Sequence, residues 1–292
     1  MKRVLLGATN IEVSVLGIGM GTSHPSGRFA QSLMSSRSLA DILIFAFEKG
    51  INFWDTAFQY QTYPHIKEAL KRIDRADIVI TTKFTHASEA STIKDFYNSL
   101  REVDTDYFDI CLLHGVRSRA EFIRREGAFN ALLKMKQQGK IRAIGISSHG
   151  LGALQHVLEV PEIDVVWARI NYAGIYMDTR ILNFYDRVAA FPYLKNIAHL
   201  LPNKMKKVLS PKPESQRLSE EEKNKVEHIL ARLHSQSKGI VGMKILVEGY
   251  LSGNLQQSIE YASDLPFIDA FIIGMLTQNE IDTNCSILSR RR

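Results

Sequence analysis

The chain has 292 residues, enough for one large α/β domain or two ordinary ones. Hydrophobic residues at 45% and charged residues at 23% match globular proteins and exclude disordered and fibrous classes. The formal charge of +6 comes partly from the Arg290-Arg291-Arg292 tail and from Lys204, Lys206 and Lys207. Without one long basic face it argues against nucleic acid and suits an anionic, phosphorylated ligand.

Val4-Leu5-Leu6, a turn at residues 7 to 10 and the stretch 11 to 16 predict an N-terminal hairpin that runs into Gly17-Ile18-Gly19-Met20-Gly21. Strands are expected near residues 14 to 18, 51 to 55, 78 to 83, 108 to 113, 142 to 147, 164 to 169, 239 to 244 and 269 to 274. Most are unbroken β-branched or apolar runs, the pattern of parallel strands covered on both faces. Between them, Thr92-Ile93-Lys94-Asp95 opens one helix, Gly139 closes a helix that starts near residue 119, and Ser219 with Glu222 forms a capping box for another.

Strand and helix alternation implies a parallel sheet, either open and doubly wound or closed. Eight strands with no change of composition favour closure: an α/β fold, a (β/α)₈ TIM barrel with an N-terminal β-hairpin, one domain over residues 1–292. The interval after strand 6 is too long for one helix, and residues 172–218, with Pro192, Pro202, Pro211 and Pro213, are expected as a loop insertion over the mouth.

Asp55, Lys83 and His114 each follow a strand-like run, and Tyr60 lies in the loop after Asp55. In a closed barrel such strand ends converge on one mouth. Carbonyl reduction needs a proton donor beside the oxygen that gains charge. Tyr60 fits that role, Lys83 is expected to lower its phenol from about 10, Asp55 to hold Lys83, and His114 to donate to the substrate oxygen.

Leu6-Gly7, Val13 to Gly19, Asp55-Thr56-Ala57 with Tyr60, Thr82-Lys83, Ser99-Leu100, Thr105 to Asp109, Leu113-His114 and Gly139 to Ser147 together resemble the aldo-keto reductase superfamily, over nearly the whole chain. The resemblance implies the barrel with a hairpin across its bottom, the tetrad Asp55, Tyr60, Lys83 and His114, and an extended nicotinamide cofactor. It further implies cofactor contacts from Met20, Gly21, Asp55, Ser147 and Ser148, from Lys244 in a Met-Lys seventh strand, and from Gly274, Thr277, Glu280 and Asn284.

Three departures from the family pattern stand out. Strand 6 ends Ala168-Arg169-Ile170-Asn171, without the glutamine expected to hold a carboxamide. Tyr60-Gln61-Thr62-Tyr63-Pro64 replaces the usual Tyr-Gly-x-Ser-Glu. Glu280 stands where a basic or neutral residue meets a 2′-phosphate, which turns the reading between NAD(H) and NADP(H) toward NAD(H), although Thr277 to Glu280 is also a capping box. Trp54, Tyr172 and Tyr176 are candidate pocket aromatics.

Other chemistries have weaker support. Gly17 to Gly21 precedes a loop and not a helix, so it is no Rossmann turn, and P-loop and HExxH motifs are absent. Cys111 and Cys285 have no CxxC spacing, which excludes metal ribbons and a disulfide framework. No metal is expected. No apolar leader or membrane-length run appears, so a cytoplasmic protein acting on a small carbonyl or alcohol is expected, with no nucleic-acid or membrane partner. The alternative is a nicotinamide-nucleotide-binding regulatory subunit that senses redox state and binds a partner protein; a further alternative is an unrelated barrel lyase or hydrolase.

Overall fold

The computed structural model describes residues 1–178, 202 and 212–290. The chain opens with β1 (Arg3–Leu5) and β2 (Glu12–Ser14), then alternates through β3 (Leu16–Gly19), α1 (Ser36–Glu48), β4 (Phe53–Asp55), α2 (Tyr63–Leu70), β5 (Val79–Phe84), α3 (Glu89–Val103) and β6 (Phe108–Val116). It continues through α4 (Arg119–Arg124), α5 (Glu126–Gln137), β7 (Ile141–Ser148), α6 (Leu151–Val157) and β8 (Val165–Arg169). The described elements that follow are α7 (Glu220–Ser235), β9 (Gly239–Met243), α8 (Leu255–Asp264), β10 (Ala270–Gly274) and α9 (Gln278–Ser289). Strands β3 to β10 pair in parallel and close as a barrel in the order β10-β3-β4-β5-β6-β7-β8-β9.

Period-two alternation divides each strand between two cores. Phe53, Val79, Ile110, Leu112, Ala143, Val165, Trp167 and Val241 fill the interior. Trp54, Ile80, Cys111, Ile144, Val166 and Ala168 face the helices. Trp54 therefore belongs to the outer core, which corrects its expected place in the pocket: it neighbours Asp55 in sequence and points the opposite way. Leu6, Ile11 and Val13 of the antiparallel hairpin join the interior cluster and close the barrel bottom. Gly7, at φ +50, seats the turn there, since an added Cβ would lie 2.4 Å from both Ser237 O and Gly239 N.

Helix boundaries differ from expectation where side chains cap the backbone. α3 begins at Glu89 and not at Thr92, because the Ser88 side chain accepts from Ser91 N. The helix expected from residue 119 is broken at Arg125, whose buried guanidinium turns inward to the strand ends. The Ser219–Glu222 and Thr277–Glu280 capping boxes both form.

The stems of the insertion run together: Ile175 bridges Arg217, and Leu218 N donates to Gly174 O at 3.0 Å. Residues 179–201 and 203–211 of the insertion, with Pro192, Pro211 and Lys204 to Lys207, lie outside the described residues, as do Arg291 and Arg292. No helix among the described residues is long and apolar enough to cross a membrane.

Candidate active site

Asp55, Lys83, His114, Arg169 and Met243 lie at or near the C-terminal ends of β4, β5, β6, β8 and β9 and line one cavity of about 610 Å³ together with Tyr60. That volume suits a cofactor or small-molecule site. Asp55 and Lys83 are buried, and Lys83 Nζ donates to Asp55 Oδ2 at 2.7 Å and to Thr56 O at 2.8 Å. The other carboxylate oxygen, Oδ1, accepts from Trp167 Nε1 at 3.0 Å. Burial pushes the Asp55 carboxyl up and the Lys83 ammonium down, while their pairing opposes both shifts. Each charge has its partner and its hydrogen bonds, which a buried ion pair requires.

Tyr60 sits at the end of a short 3₁₀ turn, Phe58–Tyr60, with Phe29 against its ring at a centroid separation of 4.4 Å. Its phenol is pushed well up, by burial first and then by the Asp55 and Glu248 charges, with Arg169 opposing. This reverses the expectation that Lys83 lowers it. The ammonium is engaged with Asp55 and Thr56 O, 5.3 Å from the Tyr60 ring centroid, and desolvation of the phenol dominates. A phenol held protonated is a proton donor and a poor resting base.

His114 Nε2 lies 3.5 Å from Tyr60 Oη, and Nδ1 lies 3.2 Å from Gln59 Oε1. Burial, then the Lys83, Arg125 and Lys244 charges, push the imidazole well below its ordinary value, so it is neutral at neutral pH. The neutral ring carries one N–H, which donates either through Nδ1 to Gln59 Oε1 or through Nε2 toward Tyr60 Oη, according to its tautomer. Arg125 ties the strand ends behind it, donating to Phe84 O at 2.6 Å, His114 O at 2.9 Å and His86 O at 3.2 Å.

Of the other predicted residues, Gly21, Lys244, Gly274 and Glu280 line the cavity. Lys244 adopts φ +57 and pairs with Glu248 at 3.0 Å. Glu280 Oε2 accepts from Leu276 N at 2.7 Å and Thr277 N at 3.0 Å, so its carboxylate caps α9 while remaining in the cavity wall. Thr277 is the N-cap and Asn284 is buried one turn beyond Glu280, its Oδ1 without a hydrogen-bond partner among the described residues. Met20 packs in the outer core and donates its N–H to Asp55 O at 2.9 Å.

Ser147 and Ser148 are buried at the end of β7, outside the cavity lining. Ser147 Oγ accepts from Gly115 N, and Ser148 Oγ donates to Gly150 O. Tyr176 lines the cavity, whereas Tyr172 is not in its lining: it packs against the Ile175, Val247 and Leu251 cluster and its hydroxyl accepts from Asn254.

Sequence reasoning missed Trp167, Gln59, Phe29, His149 and Glu248. Trp167 had a readable signal, since it stands two residues before Arg169 on the inward period. The others depend on contacts between loops.

A family model described as the aldo/keto reductase family matches residues 17–187, more than half of the chain. The chain belongs to the aldo/keto reductase family. An NADH-specific methylglyoxal reductase of Escherichia coli is 25% identical to this family member over 205 residues, 62% of this chain and 63% of its own length. An NADPH-dependent alpha-keto amide reductase of Saccharomyces cerevisiae is 29% identical over 153 residues, 50% of this chain and 49% of its own. The alignments thus span less than two thirds of either relative. The holo form of an aldo-keto reductase from Bacillus halodurans superposes with a TM-score of 0.68 over 99% of this chain and 91% of its own, at 18% identity, a likeness of fold.

Proposed function

We propose that this aldo/keto reductase is a single-domain, nicotinamide-dependent oxidoreductase that reduces a small carbonyl compound, or oxidises the corresponding alcohol. The observation that carries this reading is a protonated Tyr60 in one cavity with a buried Asp55–Lys83 pair and a neutral His114. Tyr60 gives its proton to the carbonyl oxygen as charge develops there. Lys83 and Trp167 hold Asp55, and His114 fixes the direction of the Tyr60 hydroxyl.

When bound in this cavity, a nicotinamide dinucleotide would supply hydride for the carbonyl carbon. Gly21, Lys244, Gly274, Glu280 and Asn284 are the residues to hold it. The unpartnered Asn284 Oδ1 supports the fit, because a buried amide oxygen calls for a donor such as an exocyclic amine. The named relatives use NADH in one case and NADPH in the other. Glu280 favours NAD(H) here: a carboxylate repels a 2′-phosphate and accepts from a free 2′-hydroxyl.

Purified protein is assayed with methylglyoxal and each reduced nucleotide, and nucleotide binding is followed separately by fluorescence. Tyr60→Phe is expected to abolish turnover and keep nucleotide binding. Wild-type turnover in that variant, or no binding of either nucleotide, overturns the reading. Glu280→Gln keeps the capping box and removes the charge. It is expected to narrow an NADH preference, and an unchanged ratio removes Glu280 as the selector.

A further inference from the structure

Strands β6 and β7 do not keep one register to their ends. Leu113 pairs with Ile146 and Val116 with Ser148, so two residues of β6, His114 and Gly115, stand opposite Ser147 alone. An extra residue of this kind bends its strand and re-aims the side chains beside it. Here Gly115 takes φ +73, its freed N–H donates to Ser147 Oγ at 2.8 Å, and pairing resumes where His149 N donates to Val116 O at 3.0 Å. The bulge therefore brings two histidines to the cavity wall, His114 from β6 and His149 from just after β7.

The two rings differ in what they touch. His114 has Tyr60 Oη at one nitrogen and Gln59 Oε1 at the other. His149 lines the same cavity, and neither of its ring nitrogens has a hydrogen-bond partner among the described residues. Its ring is nevertheless seated: a Cβ built on Gly115 would meet Cε1 at 3.8 Å and Nδ1 at 3.9 Å, ordinary contact distances. Burial first, then the Arg169, His114, Lys244 and Arg117 charges, push the imidazole well below its ordinary value. Held neutral, it offers one N–H and one lone pair.

We propose that His149 is a hydroxyl subsite, and that the preferred substrate is a hydroxy-carbonyl compound with its hydroxyl on the carbon next to the reacting one. A hydroxyl both donates and accepts, so it matches whichever of the two a ring nitrogen presents. Because the ring lies against Gly115, next in the chain to His114, a substituent beside a carbonyl held at Tyr60 reaches this wall. An alkyl group there leaves the ring unpaired once water is excluded, which disfavours substrates without the hydroxyl. The subsite rests on the reductase reading for its substrate, and its ligand chemistry can be measured apart from turnover.

The probes are hydroxyacetone and 2-butanone, which carry a hydroxyl and a methyl group at the same place beside the same carbonyl. The readout is the ratio of their kcat/KM values, from which any common loss of rate cancels. His149→Phe keeps a flat ring against Gly115 and removes both hydrogen-bonding groups, and it is expected to lower that ratio by about tenfold or more. His149→Asn, with a donor and an acceptor, is expected to recover part of the preference. In parallel, ¹⁵N-histidine-labelled protein mixed with nucleotide is titrated with the two products, 1,2-propanediol and 2-butanol. The diol alone is expected to shift the His149 ring signals, which supports the subsite even if no ketone is reduced.

A ratio in His149→Phe within about twofold of wild type, or a diol that moves the ring signals no more than the alcohol does, overturns the proposal. So does a His149→Phe variant that weakens NADH or NADPH by as much as it lowers the ratio, which assigns the ring to the nucleotide. Absence of turnover with every carbonyl compound while the diol still shifts the His149 ring overturns the reductase reading and leaves the hydroxyl subsite standing.

Discussion

Gly21 is the position where the smallest change should have the largest effect on turnover. A methyl group added there would fall 2.4 Å from Tyr60 Cζ, 2.5 Å from Cε2 and 2.8 Å from Oη. Restoring ordinary contact moves the ring by about 1 Å, and Phe29, at 4.4 Å between centroids, limits where it can go. Gly21 is not among the residues with positive φ, so the backbone itself accepts alanine. A displacement of about 1 Å of a reacting group costs on the order of 100-fold in rate, equivalent to about 2.7 kcal/mol. The accompanying loss of stability is that of ordinary overpacking, about 1–3 kcal/mol. The assay is kcat/KM for Gly21→Ala with methylglyoxal and the better nucleotide, beside unfolding by circular dichroism. Gly152→Ala on α6 serves as control, since its Cβ meets nothing closer than 3.7 Å. A kcat/KM within about threefold of wild type would refute the reasoning, because the phenol would then not need its present position.

Gln59 Oε1 lies 3.2 Å from His114 Nδ1, so Gln59→Glu should raise the imidazole toward protonation and move the pH–rate profile upward by about one unit, whereas Gln59→Leu should lower kcat without that shift. Superimposable profiles for wild type and the glutamate variant would remove the assignment, and ¹⁵N shifts of the His114 ring read the tautomer directly. The folded-state values of His114 and His149 are both depressed by burial, so below about pH 6.5 the unfolded chain binds protons that the native state refuses. Stability should be fully present above that pH and fall as pH drops toward the folded values, with up to about 1.4 kcal/mol per pH unit from each histidine. Denaturant titrations across this window should show a shallower slope in His149→Gln, and an unchanged slope would mean that His149 titrates normally in the fold.

Much of this protein was legible in its sequence because its signals are local and periodic. Eight apolar runs alternating with amphipathic stretches specify parallel strands covered on both sides, and Asp55, Lys83 and His114 were readable as strand-end residues because each follows such a run. Capping boxes at Ser219 and Thr277 are likewise set by residues three apart. What closure of the barrel decided is which distant groups meet. Trp167 reaches Asp55 across 112 positions of sequence, and Gln59 reaches His114 across 55. Arg125 breaks a helix to gather three carbonyl oxygens at the strand ends. The protonation of the site followed from the same closure. Side-chain identity suggested that Lys83 would acidify Tyr60, but burial depth and the placement of Asp55 hold the phenol protonated, and depth is a property of the packed chain, beyond any local run of residues.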